Sequence, residues 1–502
     1  MLTNLINKLD DWINPIVVKE IRQYLNGRSI IPLIVFTLLL ELGAMTVFMM
    51  SQIDTIQGRG QEFFSTVMVV LTLACILGVA FPCAGRISRE RKVDSMDLIY
   101  TTVLSPYRIV SGKLFSGLAM VTLLISLCLP FMCVSYYLRG IDLPTILITT
   151  YFLLLFMVPT IQGMVLFGVL CSSVVYRVIL LIVGGNILFS ALGGLFSSIF
   201  VHGRLSGFHL GMGSPWLLVF WTTFIVLVVS AGLYVLSVAA ISHVTANRSM
   251  PIRVYLAATW LVTLLICIMV SLFYAGKLRD IDIWAIPVSY VLVIHAICAI
   301  SERDEQSRRV LRSVPRGRFR QLCFFLFSSG SGNGLVFSTF FLGITYVFYF
   351  LLEGKNIHDF LYKNNAAAIS AGIAMYAIAY GAITLGIKGA LRRFFTKINT
   401  FVVVVCLMSV VLFIPIIACA LIYKERCVNN DLSAPFMVLT PAIFGYDHYQ
   451  FTGLVVSALM MLGGLLLAFA ELKRQFTVHF PDREVEPERP LAMGQGIENA
   501  DA

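Results

Sequence analysis

Apolar residues along this chain do not alternate with polar ones. They gather into runs of about 20 or more, the length a helix needs to cross the hydrocarbon core of a bilayer. Twelve segments qualify: 30–50, 64–85, 114–138, 143–170, 178–201, 215–243, 256–275, 283–300, 321–352, 366–387, 398–423 and 452–470. Several exceed the minimum, which implies tilt or an extra turn outside the membrane. The pattern predicts an all-α polytopic membrane protein of about 12 transmembrane helices, arranged six plus six. Segment 321–352 is interrupted by Gly330, Gly332 and Gly334, which reads as close helix packing or a break in a span.

The segments ahead of the first span have a different rhythm. Leu2, Leu5, Ile6, Leu9 and Ile13 recur at helical spacing, with Asn4, Asn7, Lys8 and Asp11 opposite. Asn14-Pro15 reads as a cap followed by proline in the first turn. A second amphipathic stretch puts Val17, Val18, Ile21, Tyr24 and Leu25 on one face and Lys19, Glu20, Arg22, Gln23 and Asn26 on the other. Such a helix lies in the membrane interface, so 1–29 is expected to be an amphipathic elbow region. No cleaved leader is expected, because the first 13 residues contain Asp10 and Asp11.

Composition agrees. The 502 residues are 58% hydrophobic and 13% charged, with a mean hydropathy of +0.88. A soluble domain carries about 25% charged residues, so a soluble enzyme, a disordered chain and a secreted disulfide scaffold are excluded. Runs of this kind also exclude an outer-membrane barrel, whose strands alternate. The 11 cysteines include no C-x-x-C pair, and Cys75, Cys128, Cys267, Cys298, Cys406 and Cys419 lie in apolar runs. They suggest neither a disulfide framework nor a zinc site.

Charge sets the expected orientation. Of 37 Lys and Arg residues, 28 fall in segments on the side of the N-terminus and nine on the other. The positive-inside rule then puts both termini in the cytoplasm of a cell-membrane protein, in a bacterium the inner membrane. The net charge of +10 is thus a topology signal, and no nucleic-acid partner follows from it. The proline- and glutamate-rich tail 472–502 is expected to be disordered. Among the acidic residues only Glu41 falls mid-span. Its carboxylate should face the bundle or be protonated, serving either as a substrate- or proton-sensing group or as a hydrogen-bonded structural one.

The most distinctive polar stretch is 86–113, between the second and third spans. Val93, Met96, Ile99 or Tyr100, and Val103 form a small apolar face, and Ser105-Pro106 reads as the cap and first turn of the next helix. From Glu90 to Pro106 the chain resembles, without a gap, the coupling segment of type-2 ABC exporter permeases, E-R-E-x-G-T-L-D-L-L-x-T-T-P-L-S-P. Glu90, Arg91, Asp97, Leu98, Thr101, Thr102, Leu104, Ser105 and Pro106 are identical; Ser95, Met96 and Ile99 are conservative. Lys92, Asp94 and Val103 depart from the usual Glu, Gly and Pro. The continuation I-V-x-G-K appears as Ile109, Val110, Gly112 and Lys113. Upstream, Asn14, Pro15, Lys19, Glu20, Arg22 and Gln23 resemble that family's N-P-x-x-x-K-E-x-R-Q elbow helix.

The resemblance covers 12–245. It implies a six-helix permease core over 30–245 whose coupling segment docks on a separate cytoplasmic ABC ATPase. The ATP and magnesium would be bound by that partner. It also implies export of a substrate that the chain does not identify. A second half, 250–471, has six further runs in the same orientation, as a diverged duplicate would. Its loop 301–320 occupies the equivalent place and Glu302-Arg303 echoes Glu90-Arg91, but nothing matches Leu104-Ser105-Pro106. Seven arginines in that loop suit anionic lipid head groups or an acidic partner surface. Whether one chain supplies both halves, or pairs with a second permease subunit or a copy of itself, stays open.

The chain carries no chemistry of its own that the sequence discloses. No G-x-x-x-x-G-K-[ST] loop occurs, so no P-loop nucleotide site is present. The seven histidines are scattered, and no cofactor or metal is expected. His295 reads as a hydrogen-bonded structural group. The competing function is an ion-coupled secondary transporter with a parallel repeat; a membrane-embedded enzyme would need clustered His, Asp or Glu, which the sequence lacks.

Overall fold

The computed structural model describes residues 14–27, 30–50, 60–92, 105–138, 141–170, 215–243, 246–275, 281–302, 304, 310, 314–315, 317–353, 366–390 and 450–479. Every regular element among them is helical, and ten helices are long and apolar enough to cross a membrane. The protein is an all-α, multi-span membrane protein. The expected spans 178–201 and 398–423 lie outside the described residues, as do the segments 1–13 and 93–104. The chain divides into two compact units, Met1–Val244 and Thr245–Ala502.

The first unit begins with α1 (Pro15–Leu25) and α2 (Ile30–Met50). Next comes one long rod made of α3 (Gly60–Cys75), a π-helical segment (Ile76–Ala80) and α4 (Phe81–Lys92). It continues with α5 (Pro106–Tyr137), α6 (Leu143–Leu170) and α7 (Pro215–Ile241). The core lies where α3, α5 and α6 meet, around Phe63, Met68, Leu71, Met120, Leu124 and Met157, all nearly inaccessible. Gly168 lets α6 lie directly on α4: a methyl group there would come within 2.5 Å of the Ala84 carbonyl oxygen. α2 leaves most of its surface bare. Only Ile30, Thr37 and Glu41 are buried, while Phe36, Leu39, Leu40 and Val47 are exposed, as suits a helix facing lipid.

The second unit contains α8 (Ser249–Ala275), α9 (Asp282–Ile300), α10 (Arg318–Phe327), α11 (Ser331–Glu353), α12 (Ala366–Ala390) and α13 (Gln450–His479). Its closest packing is α12 on α13. Small residues line α12, and a methyl at Gly464 would come within 2.7 Å of the Ala379 carbonyl oxygen. Close backbone approach through small residues is the usual means of helix association in lipid, where burial of apolar surface gives no drive.

The run 321–352 is broken, one of the two readings of its glycines: it stops at Ser328–Gly330, where Gly330 has φ +147°, and the long helix starts at Ser331. Two expectations change. The helix expected from 256 starts at Ser249, which brings Arg253 into it. The tail expected to be disordered from 472 is helical through His479, because Glu471 and Gln475 are buried against the unit rather than in water.

Candidate functional site

Asn14 builds the first site. Its side-chain oxygen accepts from the Ile16 amide (3.1 Å), capping α1 as Asn does. Its amide nitrogen donates to the Arg108 carbonyl (2.6 Å) in the first turn of α5. One residue therefore both starts α1 and ties it to α5. The two helices touch closely because Gly112 has no side chain: a methyl there would come within 2.8 Å of Ile16.

This contact turns a mixed stripe of α1 inward: Glu20 and Tyr24 are buried and Ile16, Val17 and Ile21 half-buried, while Lys19, Arg22 and Gln23 stay exposed. Glu20 is buried, although the amphipathic pattern placed it outside; Val18 and Leu25, on the apolar face, are exposed. The inward face meets charge. Lys113 on α5 donates to Glu20 (2.6 Å) and pairs with Glu90 at the end of α4 (2.9 Å). Lys19 reaches the other Glu90 oxygen from the surface (3.3 Å). Arg86 lies 3.6 Å from Glu20, with its guanidinium stacked 3.4 Å from the Tyr24 ring centroid. The Lys113 and Glu20 side chains are each 3% exposed. Burial of two opposite charges is tolerated only when each is paired and hydrogen-bonded, which the cluster provides.

Tyr24 completes the joint. Its hydroxyl lies 2.8 Å from the Cys83 sulfur and 3.4 Å from the Val79 carbonyl, within the π-helical segment. Burial, with Cys83 beside it, pushes the phenol above its usual range, so the hydroxyl stays protonated. The result is a compact link between α1, the end of the α3–α4 rod and the start of α5. The undescribed segment 93–104 connects the last two of these.

The structure thus brings together Asn14, Lys19, Glu20 and Glu90 from the two sequence motifs. Pro15 occupies the first turn of α1, and Ser105 and Pro106 start α5. Arg22 and Gln23 are exposed on the outer face. The backbone of Arg91 is helical, while Asp97, Leu98, Thr101, Thr102 and Leu104 lie outside the described residues. Arg86, Gly112, Lys113, Tyr24 and Cys83 were not singled out as site residues. Lys113 and Gly112 had a signal, the G-K pair after the motif; Arg86 and Cys83 had none.

Glu41 stands apart from this cluster. It is buried at mid-helix on α2, and the only polar group beside its carboxyl among the described residues is the weak donor of the Cys128 thiol.

The second unit has a charged cluster of its own, around the broken helix. Arg253 of α8 is fully buried and donates to the carbonyls of Leu326 (3.1 Å), Ser328 and Gly330 (3.3 Å) and to Glu302 (2.7 Å). The orphan carbonyls at the end of α10 are thereby satisfied by a cation, and the macrodipole there favours positive charge. At the start of α11 the signs reverse: Glu302 accepts from the Gly330 amide (2.9 Å) and Asp304 from the Ser331 amide (3.1 Å). Lys388 pairs with Asp304 (3.3 Å), and Gln475 holds the Gly332 amide (2.8 Å). Glu302, like Glu90, pairs with a buried base, but that base comes from α8 ahead of it, whereas the Lys113 that holds Glu90 lies on the helix that follows. His295 bonds Ser338 (2.8 Å), a structural role. Among the described residues no three His, Cys, Asp or Glu side chains converge as metal ligands.

No known protein family, curated protein or solved structure matches this chain.

Proposed function

We propose that this multi-span membrane protein is the permease subunit of an ATP-binding cassette exporter, driven by a separate cytoplasmic ATPase. The observation that carries the reading is the joint at Glu20, Glu90 and Lys113. The two motifs that resemble type-2 permeases lie some seventy residues apart, yet their Glu20 and Glu90 meet on Lys113, and Lys19 pairs with Glu90 as well. A partner pressing on segment 93–104 would push on α4 and α5 together, and through Lys113 on α1. That is the arrangement a coupling segment requires: the two helices that flank it and the interfacial helix are tied together by one buried lysine.

In this reading the chain performs no chemistry. Glu90, Arg91, Asp97, Leu98, Thr101, Thr102, Leu104, Ser105 and Pro106 form the docking segment, both termini are cytoplasmic, and hydrolysis occurs on the partner. The competing reading, an ion-coupled carrier, has one observation in its favour, the buried carboxyl of Glu41.

The test is co-purification. An ATPase subunit with a P-loop should copurify with the wild-type chain, and replacing Glu90 and Leu104 together should reduce its recovery at least tenfold while the chain still inserts. Undiminished recovery with the double variant, or transport driven by an ion gradient without ATP, would refute the permease reading.

A further inference from the structure

α2 touches its unit along one stripe. Ile30, Ile34, Thr37, Glu41, Met45 and Phe48 are buried or partly buried, at steps of three or four residues. Glu41 sits at the centre of this otherwise almost wholly apolar seam, fully buried. From α5, Cys128 faces it; Cys75 of α3 lies next to Cys128; on its own helix Thr37 bonds back to the Leu33 carbonyl (2.8 Å). No charged group of the described residues reaches it. Burying an ionised carboxylate in such a place, with no cation and only a thiol beside it, is costly.

The seam has a second peculiarity. Cys75 is the last residue before the π-helical segment, a backbone irregularity frequent at functional sites. α2 lies directly on that segment: a methyl at Gly78 would overlap the Leu33 side chain. On its other side the segment accepts the Tyr24 hydroxyl through Val79. A leucine at position 41 would fill the seam without burying an oxygen, so packing alone does not account for an acid.

We infer that Glu41 is a proton-binding site within the membrane, filled in the closed arrangement of α2, α3 and α5 and emptied when α2 separates from them and admits water. Proton release leaves a carboxylate that the closed seam does not tolerate. Low pH therefore holds α2 against the π-helical segment, and high pH frees it. The inference uses only the membrane reading and the first unit, and it stands whether or not an ATPase drives the chain.

The test is chemical labelling of the full chain in lipid nanodiscs. Dicyclohexylcarbodiimide, which partitions into membranes and attacks protonated carboxyls, should label Glu41 at neutral pH, as mapped by peptide mass spectrometry. Labelling should fall at least tenfold at alkaline pH, and a water-soluble carbodiimide should leave Glu41 unmodified. In parallel, the infrared carbonyl band of a protonated carboxyl should be lost in Glu41→Gln. N-ethylmaleimide should reach Cys128 faster at alkaline pH in the wild type than in Glu41→Gln. An unlabelled Glu41 at neutral pH, equal labelling by the water-soluble reagent, or an unchanged carbonyl band in the variant would overturn the proposal. If Glu41→Gln fails to insert, the two labelling reactions on the wild type decide.

Discussion

Replacing Lys113 with methionine tests the joint most directly. Methionine keeps the length of the side chain and removes its charge. Glu20 would keep Arg86, at 3.6 Å and without the 2.6 Å hydrogen bond, and Glu90 would lose its buried cation while keeping the exposed Lys19. At an effective dielectric constant of about 20, opposite charges about 4 Å apart attract by about 4 kcal/mol. Removing one member of a buried pair costs about 3–5 kcal/mol, because the other charge stays buried without compensation. Arg86 offsets part of this for Glu20, so the expected loss is about 3 kcal/mol. Lys19 is the internal control: it binds the same Glu90 but its side chain is 54% exposed, and Lys19→Met should cost under about 1 kcal/mol. The buried thiols Cys75, Cys83 and Cys128 supply the assay, denaturant unfolding in micelles followed by a thiol-reactive fluorophore. Adding Glu20→Gln to Lys113→Met should recover much of the loss, a coupling that a double-mutant cycle measures. Equal, small costs for Lys113→Met and Lys19→Met would refute the claim that the buried pair holds α1 to α5.

Three further outcomes follow from the same reasoning. Gly112→Val should separate α1 from α5, since the added methyls meet Ile16, and crosslinking between cysteines introduced in α1 and α5 should fall several-fold. Arg253→Met should cost about 3–5 kcal/mol by the same unfolding assay, and Arg253→Lys should restore little, because an ammonium does not reproduce the fork that reaches three carbonyls and Glu302. Tyr24 has a folded-state pKa above the ordinary value of 10.0, so its contribution is complete below about pH 10 and declines as pH rises beyond it. Tyr24→Phe should remove that alkaline loss, and unfolding measured against pH for the two proteins checks it.

Much of this protein was visible in the one-dimensional pattern. The α1 cap at Asn14-Pro15 and the break near Gly330 follow from local backbone chemistry: an Asn side chain satisfies an amide nearby in sequence, and a residue without a Cβ adopts φ +147°. The limits of α8 and α13 were not visible. Arg253 and Gln475 look like residues that end a span, and only their distant partners, Glu302 and Gly332, make them part of a helix buried in the unit.

The candidate site divides in the same way. Asn14, Lys19, Glu20 and Glu90 could be picked out from motif spacing, and Glu41 from being an acid in an apolar run. That Glu20 faces inward could not, because hydropathy assigns an acid to the exposed side of a helix, and only a lysine on a neighbouring helix makes its burial tolerable. The sequence by itself determined where the chain is apolar enough to cross the membrane and which few polar residues interrupt it, since hydropathy and helical period are local properties. Tertiary structure alone decided that one buried lysine would join acids from two distant motifs, because pairing depends on which helices lie side by side, and the cost of burying a charge has no meaning until its partner is in place.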